Sequence, residues 1–544
     1  MFCYQCEQTA RGTGCVDRGT CGKTEDVAAL QDLLLRQAMG VAIALRRASV
    51  SAEARAPFDQ FVEEALFTTV TNVNFDADRM ETLIHEGAEA LAAVRRFVAL
   101  AGRSGELFGP ALGEGHASRQ DMLLAAAEIG IAVRNRALGA DVVGLQELLT
   151  YGIKGMAAYA HHARVLGRTS DKVTDFLHEA LEALARPVTE MADLLALNLR
   201  CGEASLEVLA LLDGANTGAM GHPVPTSVLM GHKPGKAIMV SGHDLGDLAQ
   251  LLEQTAGLGI NVYTHGEMLP AHGYPELNKH KHLVGHFGGA WQDQMKDFAV
   301  FPGAILMTTN CLMPPRESYA GRLFTSGVVA SSNIPHIANH RFDAVIAAAL
   351  AAPGFTDASE DRRHLVGFGH NAVLGVADQV VAAVKSGALK HFVLIGGCDA
   401  ATSGRDYYSR LAAKLPNDWA VLTLGCGKFR VLGNVEGSIG DLPRLLDMGQ
   451  CNDAYSAIKV AGALAEAFGV GVNDLPLSLV LSWFEQKAVT VLLALLHLGI
   501  RNIRIGPRLP AFITPAILQV LVDKFNVMPI GDVESDIAAM ANAA

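Results

Sequence analysis

Four cysteines fall within the first 21 residues, Cys3, Cys6, Cys15 and Cys21, in the pattern C-x2-C-x8-C-x5-C. Gly12, Gly14, Gly19 and Gly22 are interleaved with them and let the backbone wrap closely around a centre. Four thiols this dense bind metal. Zinc satisfies such a set as well as an iron–sulfur cluster does, and a redox dithiol is a third use for it. Position favours iron: a zinc ribbon organises a small domain with little core, whereas this loop precedes a long helical stretch able to fold without it.

The other five of the nine cysteines, Cys201, Cys311, Cys398, Cys426 and Cys451, share no short spacing. Taken singly, each reads as a small buried hydrophobe. Their placement says more. Cys311, Cys398 and Cys426 end the β-type runs AILMTTNC (304–311), HFVLIGGC (391–398) and WAVLTLGC (419–426). His243, Glu267 and Glu485 end three more: AIMVSGH (237–243), INVYTHGE (260–267) and SLVLSWFE (478–485). Ligands of open α/β sheets bind outside the carboxyl ends of the strands, so these six side chains can converge, with Cys451 of the MGQCND loop as a seventh candidate. A mixture of thiolate, imidazole and carboxylate implies a cluster with unlike corners and an iron open to substrate. The ordinary reading of Glu267 and Glu485 is a helix cap or surface residue, and that of Lys487 a solvated side chain. The stretch HGYPELNKHKHLVGH (272–286) reads as a polar loop with none of His272, His280, His282 and His286 as ligands, and Cys201 as a packed thiol.

The elements that must position these residues divide at proline. Only Pro57, Pro110 and Pro187 precede residue 220, and the other 17 of 20 lie beyond it. From Asp26 to about Leu212 apolar residues recur at helical spacing, predicting helices over 26–48, 56–73, 77–102, 118–135, 140–166, 170–185 and 188–213. After Gly221 the β-runs alternate with amphipathic segments such as Leu245–Glu253, Phe342–Leu350 and Ala372–Lys385, the βαβ pattern of mostly parallel sheets. The expected organisation is a helical bundle over 1–220 carrying the cysteine loop, then two Rossmann-like α/β domains over 221–370 and 371–544.

With 544 residues the chain is long enough for several cored domains at about 100–200 residues each, which excludes a small disulfide scaffold. A net charge of −12 and the lack of any run of five basic residues give no footprint for nucleic acid or an anionic membrane. Hydrophobic content is 50%, yet uninterrupted apolar stretches such as Val489–Leu496 fall short of the ~18 residues of a spanning helix. The opening MFCYQC has no secretory pattern, so a cytoplasmic address is expected, where thiols stay reduced.

The collected segments resemble the hybrid cluster protein family, also called prismane proteins or hydroxylamine reductases. The resemblance spans MFCYQCEQT, LQDLL (30–34), TNVNFD (71–76), SGHDL (241–245), THGEMLPAHGYPEL (264–277), TTNCLMPP (308–315), IGGCD (395–399), LGCGK (424–428), MGQCNDAYSA (448–457) and SWFEQKAV (482–489). It implies a [4Fe–4S] cluster on Cys3, Cys6, Cys15 and Cys21. It also implies a hybrid [4Fe–2O–2S] cluster at the domain junction, bound by His243, Glu267, Cys311, Cys398 as a persulfide, Cys426, Cys451 and Glu485, with Lys487 at the site. The implied activity is reduction of hydroxylamine to ammonia and water, electrons entering at the first cluster. Glu485, Glu267, His243 or Lys487 would supply protons. Nitric oxide reduction, a nitrosative-stress or protein S-nitrosylation role, and a carbon monoxide dehydrogenase-like activity are the alternatives. No dinucleotide fingerprint stands out, so the expected electron donor is a redox protein.

Overall fold

The computed structural model describes residues 1–186, 190–402 and 404–542. Among the described residues eight α-helices build the first region: α1 Glu25–Leu45, α2 Ala52–Thr68, α3 Ala77–Leu100, α4 Arg119–Ala127, α5 Ile131–Leu138, α6 Ala140–Val165, α7 Asp171–Ala185 and α8 Met191–Met220. Their starts follow local chemistry. Thr24, Ser51, Asp76 and Ser118 each cap a helix by accepting a backbone N–H in the first turn. Capping by Ser51 places Pro57 inside α2 rather than at its start, and the helix stops at Thr68 instead of 73. The single helix expected over 118–135 is two, because the chain turns at Gly130 between Ala127 and Ile131. Residues 188–189 of the expected 188–213 helix, and 543–544 of the last expected domain, lie outside the described residues.

By length and composition alone α1 is apolar enough to cross a membrane, but 67% of its most apolar stretch is buried inside the protein. Leu30, Leu33, Leu34 and Val41 form its core face.

Among the described residues sixteen strands follow. A two-stranded ribbon pairs β1 Thr226–Leu229 with β8 Arg363–Val366 in antiparallel fashion. The first parallel sheet contains β2 Lys236–Ser241, β3 Ile260–His265, β4 Leu283–His286, β5 Ala304–Met307, β6 Leu323–Ser326 and β7 His336–Ile337, in the order β4-β3-β2-β5-β6-β7. The second contains β9 His391–Gly397, β10 Trp419–Leu424, β13 Leu445–Asp447, β14 Leu477–Ser482, β15 Ile503–Gly506 and β16 Met528–Pro529, in the order β13-β10-β9-β14-β15-β16. A short ribbon of β11 Ser438–Ile439 and β12 Leu442–Pro443 completes the set. Both large sheets are doubly wound: each starts in the middle, grows outward on one side, then returns to grow on the other. Each therefore has one switch point, between β2 and β5 and between β9 and β14, where a crevice opens at the carboxyl edge. The helix expected over 372–385 is broken at Gly375 into His370–Leu374 and Ala377–Lys385.

The helix after β14, Gln486–His497, is buried inside the helical region, sharing one apolar core with α1, α6 and α8 through Val489, Leu493, Ala494 and Leu496. Glycines in α6 and α8 admit it. A Cβ on Gly155 would lie 2.2 Å from Thr490 Oγ1, and one on Gly202 would lie 2.2 Å from the Leu493 carbonyl oxygen. Thr490 Oγ1 donates to the Gly152 carbonyl at 2.8 Å. The helix carrying Glu485 at its N-cap is thus fixed from both sides, each buried leucine contributing about 1.5–3 kcal/mol.

Candidate metal centres

The seven dispersed residues all follow strands at the carboxyl edges. Cys398 comes directly after β9, His243, Glu267 and Cys426 two residues after β2, β3 and β10, and Glu485 three after β14. Cys311 and Cys451 are farther out, four residues past β5 and β13, so the run to Cys311 is strand only as far as Met307. A glycine turns the chain just before four of them. Gly397 has φ +99°, and a Cβ there would meet the Ser482 carbonyl oxygen at 1.9 Å; Gly425 has φ +71° and lies against the Gly397 carbonyl. Only glycine lets β9 and β14 approach so closely and then aims Cys398 and Cys426 into the crevice.

Glu267 is the hub. Its Oε1 accepts from Cys398 Sγ at 3.5 Å, its Oε2 accepts the Cys451 backbone N–H at 2.8 Å, and His243 Nε2 lies 3.7 Å from Oε2. Donor atoms of His243, Glu267 and Cys451 fall within 4.8 Å of one another, and so do those of Glu267, Cys398 and Cys426. Glu267 thus joins the first sheet's edge to the second's. Cys311 has φ +75°, a left-handed conformation costing a non-glycine residue of order 1–3 kcal/mol. It is held there by Gln294, whose Nε2 donates to the Cys311 carbonyl at 3.0 Å while its Oε1 accepts from Met313 N at 2.8 Å.

Glu485 caps its helix by accepting the Lys487 backbone N–H at 2.8 Å. The ordinary reading of a cap is therefore correct locally, yet the carboxylate is buried and faces the same crevice. Lys487 is not solvated: it is 1% exposed, donates to Asn310 Oδ1 at 3.1 Å, and lies 4.0 Å from Glu485 Oε1. Asn310 Nδ2 in turn donates to Cys311 Sγ at 3.4 Å.

Burial pushes the Cys311 and Cys451 thiols far above the ordinary range and Cys426 up to about 12. Cys398 is raised first by its hydrogen bond with Cys426 and then by burial. Burial also raises the Glu485 carboxyl, against the pull of Lys487. For Lys487 burial works against the charge, but Cys451, Glu485, Cys311 and Glu267 outweigh it and hold the ammonium above its usual range. His243 is driven well below its usual value by burial and by Lys487 and His162. Cys311, Cys451 and Glu485 thus share the buried ammonium of Lys487. A donor set with such an excess of potential anions fits a multiply charged, thiophilic metal group, which would favour the ionised ligands.

The four N-terminal cysteines line one small cavity together with Gln5, Thr9, Lys23 and Thr71. Cys3 and Cys15 face each other across an antiparallel bridge, Cys15 N donating to the Cys3 carbonyl at 2.8 Å. A Cβ on Gly19 would lie 3.2 Å from Cys21 Sγ. Burial raises Cys3 to about 11 and Cys6 well beyond the usual value, the neighbouring thiols adding to it. Here too the thiols are bunched, Cys6 and Cys15 buried and Cys3 and Cys21 half-buried, the fit expected of a cluster loop.

The 272–286 segment is not a polar loop. Leu283–His286 is strand β4, and His272 Nε2 and His286 Nδ1 both lie 3.0 Å from Thr264 Oγ1, in the core of the first sheet. Neither joins the converging donors. Cys201 is fully buried on α8, apart from both sets. Nothing in the sequence marks Asn310, Gln294, Asn452, whose Oδ1 accepts from Lys487 Nζ at 3.5 Å, or His162, whose ring on α6 lies 6.4 Å from that of His243. These residue types are commonplace, and only their place beside the donors marks them.

A helical region joined to two doubly wound sheets, with two bunched thiol sets at their junctions, defines a multidomain iron–sulfur protein. The chain belongs to the Prismane/CO dehydrogenase family, whose model matches residues 1–538. It is 60% identical over 550 residues to a protein named "Hydroxylamine reductase" from Rhodospirillum rubrum, covering 100% of each chain. It is 56% identical to one of the same name from Zymomonas mobilis subsp. mobilis, covering 98% of this chain and 97% of that one. Among solved structures, the nickel-free carbon monoxide dehydrogenase from Thermococcus sp. AM4 is similar with a TM-score of 0.56 at 17% identity, covering 100% of this chain and 90% of that one. Carbon monoxide dehydrogenase IV from Carboxydothermus hydrogenoformans is similar with a TM-score of 0.56 at 16% identity, covering 97% and 89%. These likenesses show the shared fold.

Proposed function

We propose that this protein is an iron–sulfur oxidoreductase that reduces hydroxylamine to ammonia and water, taking up two electrons and two protons. The observation that carries the reading is the convergence of Cys398, Cys426, Cys451 and His243 on Glu267, in a chain 60% identical to a hydroxylamine reductase along its whole length. In this reading His243, Glu267, Cys311, Cys398, Cys426, Cys451 and Glu485 hold a hybrid [4Fe–2O–2S] cluster, with Cys398 as a persulfide. Cys3, Cys6, Cys15 and Cys21 hold a [4Fe–4S] cluster. The bound metal supplies electrons and an iron Lewis acid at the substrate.

The chain's own residues supply position and protons. Lys487 has its ammonium held by Asn310 beside Cys311, and the buried Glu485 carboxyl stands next to it. These two are the proton donors best placed at the crevice, with His243 and Glu267 on its other wall. A redox protein delivers electrons at the N-terminal loop, and the free thiols that ligation requires fit a cytoplasmic setting.

A second substrate is supported by one observation. An apolar cavity lined by Ile458, Leu479, Leu481 and Leu492 reaches Cys398, Cys451, Glu485 and Lys487. Such a path suits an uncharged gas, so nitric oxide is the competing substrate at the same site.

The test is an anaerobic preparation analysed for iron, sulfide and nickel, with EPR of both centres and ammonia counted per hydroxylamine consumed. Two iron centres and stoichiometric ammonia support the reading. Stoichiometric nickel, or zinc without iron, overturns it.

A further inference from the structure

Cys6 and Glu485 belong to different sets, yet their neighbours in sequence are bonded to each other in pairs. Gln486 Nε2 donates to the Gln5 carbonyl at 2.6 Å, and Glu7 N donates to the Phe484 carbonyl at 3.1 Å. The N-terminal loop and the Glu485 turn therefore lie side by side, with Cys6 and Glu485 each at the middle of its strip. Gln486 ties in a third segment, because its Oε1 accepts the Thr71 backbone N–H at 2.8 Å. One residue farther along, the Asn72 carbonyl accepts from Leu312 N at 2.9 Å, next to Cys311. Gln486, Gln5, Thr71 and Phe484 are all buried, Gln486 fully.

A side-chain amide at the first position of a helix is normally solvated. Here both ends of the amide are spent on backbone groups of two other segments, and neither bond serves the helix itself. Removing the side chain leaves a buried N–H and a buried carbonyl unpaired, which the fold opposes. We propose that Gln486 is a positioning residue that holds the N-terminal cysteine loop at a fixed separation from the Glu485 turn, and so sets how fast an electron passes between the two centres. In that passage one centre loses one electron and the other gains it, and no atom is transferred. The inference rests on the two-centre reading above.

The test uses the holoenzyme and two variants. Gln486→Met removes both bonds at similar volume, and Gln486→Glu keeps the acceptor for Thr71 N but loses the amide donor to Gln5. Each is reduced with a limiting amount of dithionite and freeze-quenched at successive times, and EPR reads the electron on each centre. Both variants are expected to show both signals at wild-type intensity. Equilibration between them should be slowed severalfold in Gln486→Met, because electron transfer falls steeply with the separation of the centres, and slowed less in Gln486→Glu. Wild-type equilibration in the two variants overturns the inference. So does loss of the second centre's signal in both, which would make Gln486 a support for ligation. If Gln486→Met fails to fold, the near-isosteric Gln486→Glu decides. A wild-type protein without two iron centres refutes the underlying reading instead.

Discussion

Lys428 Nζ lies 2.6 Å from Asp447 Oδ1, and neither side chain has any exposure. The pair joins the loop of Cys426, two residues before Lys428, to the end of β13, four residues before Cys451. Lys428 also donates to the Gly449 carbonyl at 2.9 Å, and His364 Nε2 lies 3.1 Å from Asp447 Oδ2. Two ligand loops are thus held in register by one ammonium. Lys428→Met leaves a buried carboxylate partly unpaired and should cost about 3–5 kcal/mol. The expected result is a lowered Tm with loss of the second centre's EPR signal while the N-terminal signal remains. Lys428→Met combined with Asp447→Leu should recover most of the Tm, because no lone charge is left buried.

Cys451→Ala and Cys6→Ala should have opposite effects. Cys451 contributes a thiol to the Glu267 crevice and Cys6 to the N-terminal cavity, and no residue is shared between the two thiol sets. Iron analysis with EPR should show Cys451→Ala lacking only the second centre and Cys6→Ala lacking only the first. Loss of both signals from either variant would point to general unfolding.

The dispersed donors are visible in the sequence because β-runs that stop at glycine and then place Cys, His or Glu are rare and chemically loaded. The strand–glycine–donor order of GGC at 396–398 and LGC at 424–426 recurs in the turns at Gly397 and Gly425. The hidden part is of another kind. Asn310, Lys428 and Gln486 act through partners 177, 19 and 481 residues away in the chain, distances at which no periodicity operates. Glycine explains the misplaced elements as well. Gly130 splits one expected helix and Gly375 another, each in a stretch whose apolar pattern continues across the break.

Gly397 gives a sharp contrast with a glycine of similar dihedral. Gly433 has φ +76° with no atom within 4 Å of an added Cβ, whereas Gly397 places the Ser482 carbonyl oxygen at 1.9 Å. Gly433→Ala should cost about 1–2 kcal/mol for the left-handed conformation alone. Gly397→Ala must also part β9 from β14 at the switch point. It should yield insoluble protein, or protein lacking the second centre, while Gly433→Ala keeps both centres with a Tm a few degrees lower.

His340 offers a pH test remote from the donors. Its Nδ1 lies 2.6 Å from Asp247 Oδ1, and the bond to that carboxylate raises the imidazole above its ordinary value. A raised folded value means the contribution is full below about pH 6.5 and disappears as pH rises through the folded value. The His340 side chain is 54% exposed, so screening limits the effect to about 0.5–1 kcal/mol. The Tm difference between wild type and His340→Gln should be largest near pH 6 and should shrink by pH 9 and with added salt. A difference that grows with pH would refute the assignment.

Cys201 separates thiols that ligate from thiols that pack. It is fully buried on α8, where Gly152 is so close that an added Cβ would lie 2.9 Å from its Sγ. Burial pushes its thiol up to about 12, with the neighbouring Ser205 opposing, and no other cysteine contributes. Cys311, Cys426 and Cys451 differ in having carboxylates or other thiols among the causes of their shifts. A raised thiol pKa therefore does not mark a ligand here; anionic company does. Cys201→Ala should cost about 1 kcal/mol for the small cavity. Iron content, both EPR signals and hydroxylamine turnover should stay at wild-type values, and any fall in iron would place Cys201 among the ligands.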